Sequence, residues 1–362
     1  MKRILALDGG GIRGVFSLEI LLRIETLLRE HFKDPKLVLA DKFDFFAGTS
    51  TGAIIATGLS WGMPVEEILE FYLQHGRTMF QPVPWYRPFK RFLVSRYEAK
   101  PLSDMLRRIF SEDGKGEVPA LLDSKRLRTL LLVVLRNHST GSAWPVTNNP
   151  LAMYNDCSLP DCNMKIPLWK LVRASTAAPT FFDPEEILLG GKRHVFVDGA
   201  ITPYNSPALI AALTAVLPCY RLGWETGPDK IRLISLGTMR FSLAHEDVNI
   251  SRMWVGYNAP RIPAALMQGV ALEQDYLCRC LGECIHGEEL DSEIGNMECT
   301  ALSGRSWFSY ARYNKSYMGK EAEKLFRENP QVAQLDAVQA IPSLREIGRA
   351  YAQEHVRIEH LI

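Results

Sequence analysis

The stretch Phe43-Asp44-Phe45-Phe46-Ala47-Gly48-Thr49-Ser50-Thr51-Gly52-Ala53-Ile54-Ile55-Ala56 decides how the chain is read. An apolar run from Phe43 to Ala47 stops at Gly48, and a helix of small residues runs from Thr51 to Trp61, slim enough to pack close to a sheet. Between them, Gly48-Thr49-Ser50-Thr51-Gly52 fits G-x-S-x-G. A serine in that pattern sits on a tight, strained turn, and glycines flank it because side chains there would clash. The turn lifts the Ser50 hydroxyl above the sheet edge at a helix N-terminus, where amide dipoles favour developing negative charge. A chance Gly/Ser/Thr loop can carry the same residues; the strand before it and the helix after it argue for the elbow.

The same alternation extends outward. Arg3 to Leu7 reads as a short strand, followed by a Gly-rich turn at Gly9 to Gly14 and a helix from Ser17 to His31, with Leu18, Leu21, Leu22 and Leu28 at helical spacing. Val65 to His75 and Pro101 to Phe110 read as helices. Arg128 to Leu135, Val195 to Val197 and Ile231 to Leu236 read as strands. Strands alternating with helices predict an α/β fold: a three-layer sandwich with a mostly parallel central sheet covered on both faces. From about Phe241 the strand signals fade, while Ala264 to Ile285 and Ser343 to Leu361 read as helices. The expected organisation is a core over residues 1–240 and a helical C-terminal extension over 241–362, packed on that core.

Composition narrows the class. Of 362 residues 47% are hydrophobic, enough for one large core. Lys and Arg number 42 against 41 Asp and Glu, so no global charge draws the chain to nucleic acid. No apolar run reaches the ~18 residues of a membrane-spanning helix. Met1-Lys2-Arg3 precedes only four apolar residues, Ile4 to Leu7, too few for a secretory signal. Seven scattered cysteines are an odd count, more consistent with reduced thiols than with a disulfide framework. The expected location is cytoplasmic.

Two further elements carry chemistry. Asp8-Gly9-Gly10-Gly11-Ile12-Arg13-Gly14 closes the first strand, and consecutive glycines leave backbone N–H groups open as an anion-binding nest. In an acyl hydrolase that anion is the tetrahedral oxyanion, with Gly10 and Gly11 as candidate donors and Arg13 as a fixed positive charge nearby. The rival is a dinucleotide fingerprint, since Gly9, Gly11 and Gly14 fit G-x-G-x-x-G. That reading, a nucleotide-binding oxidoreductase, wants an acidic ribose ligand ~20 residues on, at the end of a second strand. Asp34 instead falls in a charged connector. Asp198-Gly199-Ala200 follows the strand His194 to Val197, where an aspartate can present its carboxylate to a site; an ordinary Asp-Gly turn is the alternative.

Taken together, these motifs resemble those of the patatin-like phospholipases: a D-G-G-G-x-R-G loop, a G-x-S-x-G elbow and a later D-G-A or D-G-G, in that order. Arg173-Ala174-Ser175-Thr176-Ala177-Ala178-Pro179 is similar to the family's A-S-x-A-A-P segment, and Ile234-Ser235-Leu236-Gly237-Thr238 to its S-L-G-T strand end. Asn205-Ser206-Pro207 stands where the family often has N-N-P. The resemblance covers roughly the first two-thirds of the chain. It implies a lipid acyl hydrolase with a Ser–Asp dyad and no histidine: Ser50 attacks an ester carbonyl, Asp198 takes the proton, the glycine loop holds the oxyanion, and water releases the acyl group. No metal or organic cofactor is implied. The family also includes stand-alone bacterial proteins activated by cyclic nucleotides in anti-phage defence, so a small-nucleotide activator is a further implied partner. A Ser-His-Asp triad stays open beside the dyad, with His245 as its candidate histidine.

Smaller signals remain. Trp85-Tyr86-Arg87-Pro88-Phe89-Lys90-Arg91-Phe92 mixes rings and cations, as peripheral membrane contacts do and as loops folded on a core also do. Cys278, Cys280, Cys284 and His286, with Cys299 beyond, lack the paired spacing of zinc sites and read as buried apolar residues, and Cys157 and Cys162 read likewise. The aromatic and basic segment Trp307 to Tyr317 either contacts a ligand or caps the core. A homodimer is the default assembly.

Overall fold

The computed structural model describes residues 1–84, 86–87, 95–242, 262–298 and 304–362. A nine-stranded sheet is its centre. The strands are β1 Lys2–Leu7, β2 Phe45–Thr49, β3 Leu130–Asn137, β4 Ser142–Thr147, β5 Glu185–Leu189, β6 Lys192–Asp198, β7 Ile231–Leu236, β8 Arg240–Ser242, β9 Glu283–His286, β10 Ser309–Tyr313 and β11 Ser316–Met318. The order across the large sheet is β5-β6-β3-β2-β1-β7-β10-β9, with β4 also on β3; β8 and β11 form a separate pair. From β3 through β2, β1, β7 and β10 to β9 every pairing is parallel. On the other flank β4 and β6 run antiparallel to β3, and β5 antiparallel to β6.

Nine helices of at least two turns are described: α1 Gly14–Phe32, α2 Thr51–Ser60, α3 Val65–Met79, α4 Ala99–Ile109, α5 Leu168–Ser175, α6 Ala208–Val216, α7 Ile262–Leu281, α8 Gly319–Glu328 and α9 Ile341–His355. Strand side chains alternate between two cores. Leu5, Leu7, Phe46, Leu131, Val133 and Ile234 meet the buried faces of α1, α2, α3 and α9. Ile4, Ala6, Phe45, Ala47, Leu132 and Leu233 meet α6, Cys278 of α7 and Tyr310 of β10. Burial on both faces is why β1, β2 and β3 carry consecutive apolar residues rather than polar–apolar alternations. The expected three-layer α/β architecture with a mostly parallel central sheet is present.

The last third differs from the helical extension expected of it. β9 and β10 extend the central sheet beyond β7, and β11 pairs with β8. The helix expected over Ala264 to Ile285 ends at Leu281 and gives way to β9, and Trp307 to Tyr317, expected to contact a ligand or cap the core, contains β10. α9 lies along α1. There Glu19, 3% exposed, accepts from Arg345 Nε at 2.5 Å and Arg349 Nε at 3.0 Å. The crossing is close: a Cβ on Gly348 would stand 2.9 Å from Glu19 Cβ and 3.0 Å from the Phe16 carbonyl oxygen. Trp85, residues 88–92 and His245 fall outside the described residues, and so does Cys299. Among the described residues no helix is long and apolar enough to cross a membrane.

Gly348→Val forces α9 off α1. The expected result in urea denaturation is a loss of about 1–3 kcal/mol, the usual penalty for overpacking.

Candidate active site

The position of Ser50 follows from sheet register. Thr49, the last residue of β2, pairs with Val134 of β3. The next residue of β3, Leu135, pairs with Asp198, the last residue of β6. β2 and β6 therefore approach the same edge of β3 from opposite directions and end against each other. Ser50, one residue past β2, meets Asp198 across that junction, its Oγ donating to Asp198 Oδ2 at 2.6 Å. Both are buried, at 9% and 2% exposure.

Ser50 has φ 55° and ψ −122°, a backbone conformation that residues with a side chain rarely occupy. The surroundings hold it there. Its N–H donates to Ser175 Oγ at 2.9 Å, and that hydroxyl donates to the Val134 carbonyl at 2.6 Å. The Ser175 hydroxyl thus ties the elbow to β3, a role the motif around Ser175 does not announce by itself. The elbow also has no spare volume. A Cβ on Gly48 would strike the Gly52 carbonyl, one on Gly52 the Leu7 carbonyl, and one on Gly199 the Val134 carbonyl. Those neighbours are backbone atoms, so the glycines are required by close approach of chain to chain.

Asp198 begins a short turn in which its Oδ1 accepts from the Ala200 N–H at 2.7 Å. Burial raises its pKa from the ordinary 3.8 to about 6, against the opposing pull of hydrogen bonds from Ser50 and Ala200 and of the nearby Arg173 charge. Arg173, fully buried, donates from Nη2 to the Asp183 carbonyl at 2.9 Å. A carboxylate shifted this far is a stronger base than a free aspartate and is still mostly ionised at neutral pH.

The glycine loop lies alongside. A Cβ on Gly9 would be 3.3 Å from Ser50 Cβ. The Gly9 N–H donates to the Asn205 carbonyl at 3.1 Å, the Ile12 N–H to the Leu335 carbonyl at 2.8 Å and the Arg13 N–H to the Gly10 carbonyl at 3.2 Å. Between them, the Gly10 and Gly11 N–H groups have no acceptor among the described residues. Gly11 has φ +57°, and a Cβ there would strike the Leu335 carbonyl. Gly14 packs on the Thr51 side chain. Arg13 is half-buried with its guanidinium 5.5 Å from the Phe241 ring, and burial lowers its pKa to about 10, so it remains charged at neutral pH. The structure thus brings together Ser50, Asp198 and the glycine loop, which are scattered in sequence. Cys278 and Cys284 are buried and burial pushes both thiols up, Cys284 to about 11, as in apolar packing.

The sequence profile of the patatin-like phospholipases matches residues 5–212, more than half of the chain. The chain belongs to the patatin-like phospholipase family. It is 29% identical to Patatin-17 of Solanum cardiophyllum over 66% of this chain and 60% of that protein. It is likewise 29% identical to proteins named cGAMP-activated phospholipase, from Escherichia coli (strain TW11681) over 70% of this chain and 67% of the relative, and from Vibrio cholerae serotype O1 over 66% and 64%. The chain therefore spans roughly 60–67% of the length of these relatives. The matched residues include all three motifs and end before β7, so the contacts made by β10 and Leu335 lie beyond them.

Because Asp198 binds a proton more tightly folded than unfolded, its ionisation opposes folding, and stability from this group falls as pH rises from about 4 through about 6. Asp198→Asn removes that cost. The expected outcome is a gain of about 1–3 kcal/mol in stability at pH 7, read by thermal unfolding.

Proposed function

We propose that this protein is a lipid acyl hydrolase of phospholipase A or lysophospholipase type, cleaving carboxylic esters of phospholipids through Ser50 and Asp198. The observation that carries this is the 2.6 Å contact between the two buried side chains. Asp198 accepts the Ser50 proton as Oγ adds to the ester carbonyl carbon. The carbonyl oxygen becomes an oxyanion facing the Gly10 and Gly11 N–H groups, with Arg13 adding positive charge nearby. The intermediate collapses, the alcohol leaves with the proton from Asp198, and an acyl-serine remains. Water, deprotonated by Asp198, then attacks the acyl carbon and frees the fatty acid and Ser50. The direct contact of carboxylate and hydroxyl supports a dyad over a triad, because no imidazole stands between them.

Activation by a cyclic dinucleotide, with a role in antiviral defence, belongs to the same reading. Its support is that two relatives are named cGAMP-activated phospholipases. A cavity of about 670 Å³ lined by Trp144, Tyr154, Tyr220, His194 and Lys192, with Ser50 not in its lining, offers rings and a cation of the kind a nucleotide uses.

Mixed phospholipid vesicles incubated with the wild type, with and without cGAMP, and with Ser50→Ala test the reading by lipid mass spectrometry. Fatty acid and lysolipid are expected from the wild type, more with cGAMP, and none from Ser50→Ala; equal release by Ser50→Ala contradicts the mechanism. His245→Ala is expected to retain activity, and its collapse would favour the triad. As a function of pH, the rate is expected to rise through about 6 and then level, because Asp198 acts as a base only when ionised.

A further inference from the structure

We propose that Arg312, on β10 in the last third of the chain, is a positioning residue for the oxyanion-binding glycine loop; the proposal rests on the Ser50–Asp198 reading above. Arg312 and Asp8 are 4% and 6% exposed and form a two-pronged ion pair, Nη1 to Oδ1 at 3.0 Å and Nη2 to Oδ2 at 2.6 Å. Arg312 Nη1 also donates to Ser235 Oγ at 2.6 Å, which locks the fork onto β7. Asp8 is the residue at which β1 becomes the glycine loop, and its own N–H donates to the Leu236 carbonyl at 3.0 Å. Backbone and side chain of Asp8 are thus both held, and the direction in which the chain leaves β1 is determined.

The rest of the loop is held residue by residue. Thr238 Oγ1 donates to the Gly9 carbonyl at 2.9 Å, and the Gly9 and Ile12 N–H groups donate to Asn205 and Leu335. Only the Gly10 and Gly11 N–H groups, two and three residues past Asp8, lack an acceptor among the described residues. Arg312 acts on them in two ways. It aims them, because a planar guanidinium gripping both oxygens leaves the carboxylate one orientation. It also neutralises the Asp8 charge, which unpaired in this buried place would oppose an oxyanion forming a few residues away. A lysine keeps the charge but cannot grip both oxygens. Arg312 lies outside residues 5–212, the matched family region.

The test is Arg312→Lys beside wild type and Ser50→Ala, with Ser235→Ala as a second variant that frees the fork from β7 and leaves both charges of the pair in place. Folding is checked by circular dichroism. kcat and KM are measured on a soluble p-nitrophenyl ester, together with the affinity of a trifluoromethyl ketone, whose Ser50 adduct carries a full oxyanion. Expected for Arg312→Lys is a fall in kcat of about 10–100-fold with KM nearly unchanged, and a parallel fall in ketone affinity. A folded Arg312→Lys with wild-type kcat and wild-type ketone affinity overturns the proposal, since a purely structural ion pair would alter only stability. If Arg312→Lys does not fold, Ser235→Ala is read by the same two outcomes. Activity that survives Ser50→Ala would instead strike the underlying reading, which separates the two failures.

Discussion

Val134 and Leu135 are adjacent on β3, yet the strands opposite them arrive from opposite ends of the sheet. β2 reaches Val134 and stops; β6 comes from the other direction and stops at Leu135. This head-to-head meeting on one strand edge places a serine and an aspartate 148 residues apart in sequence within 2.6 Å of each other. Parallel strands alone would send both chain ends the same way, so the antiparallel flank of the sheet is what brings a carboxylate to the end of β2. The left-handed backbone of Ser50 is tolerated because the ladder on β3, the Ser175 hydroxyl and the backbone contacts of Gly48 and Gly52 leave it no other course.

Much of this was legible in the sequence because each element is forced by local backbone chemistry. A turn that passes carbonyl oxygens at contact distance admits only glycine, and a serine flanked by such glycines, after an apolar strand, is readable without neighbours. The same holds for the consecutive glycines after β1. β10 was not legible for a physical reason. Ser309-Tyr310-Ala311-Arg312-Tyr313 carries an arginine and two tyrosines, which read as contacting a ligand or capping the core, yet all five are buried in a strand of the sheet. Arg312 can be buried only because Asp8, 304 residues away in sequence, neutralises it, and periodicity cannot register a partner at that range. β9 was lost differently: it follows α7 after the single residue Gly282, so the apolar pattern of the helix ran on into the strand.

The last third is thereby part of the site's framework. It widens the sheet with β10 and β9, meets the glycine loop at Asp8 and at Ile12, and reaches across to Tyr97, whose hydroxyl donates to Asp336 at 2.6 Å. It also closes the chain on itself: Arg3 Nε donates to the Leu361 carbonyl at 2.9 Å and Arg232 Nη1 to the Glu359 carbonyl at 2.7 Å. These two contacts tie residues 359 and 361 to β7 and to β1, the strand that leads into the glycine loop.

The most direct measurement is a crystal structure of the protein after reaction with a fluorophosphonate ester, which mimics the tetrahedral intermediate. The account predicts phosphorus bonded to Ser50 Oγ, Asp198 still beside that oxygen, and the phosphonyl oxygen within hydrogen-bond reach of the Gly10 and Gly11 N–H groups. A phosphonyl oxygen turned away from the glycine loop, or an adduct on any residue other than Ser50, would contradict it.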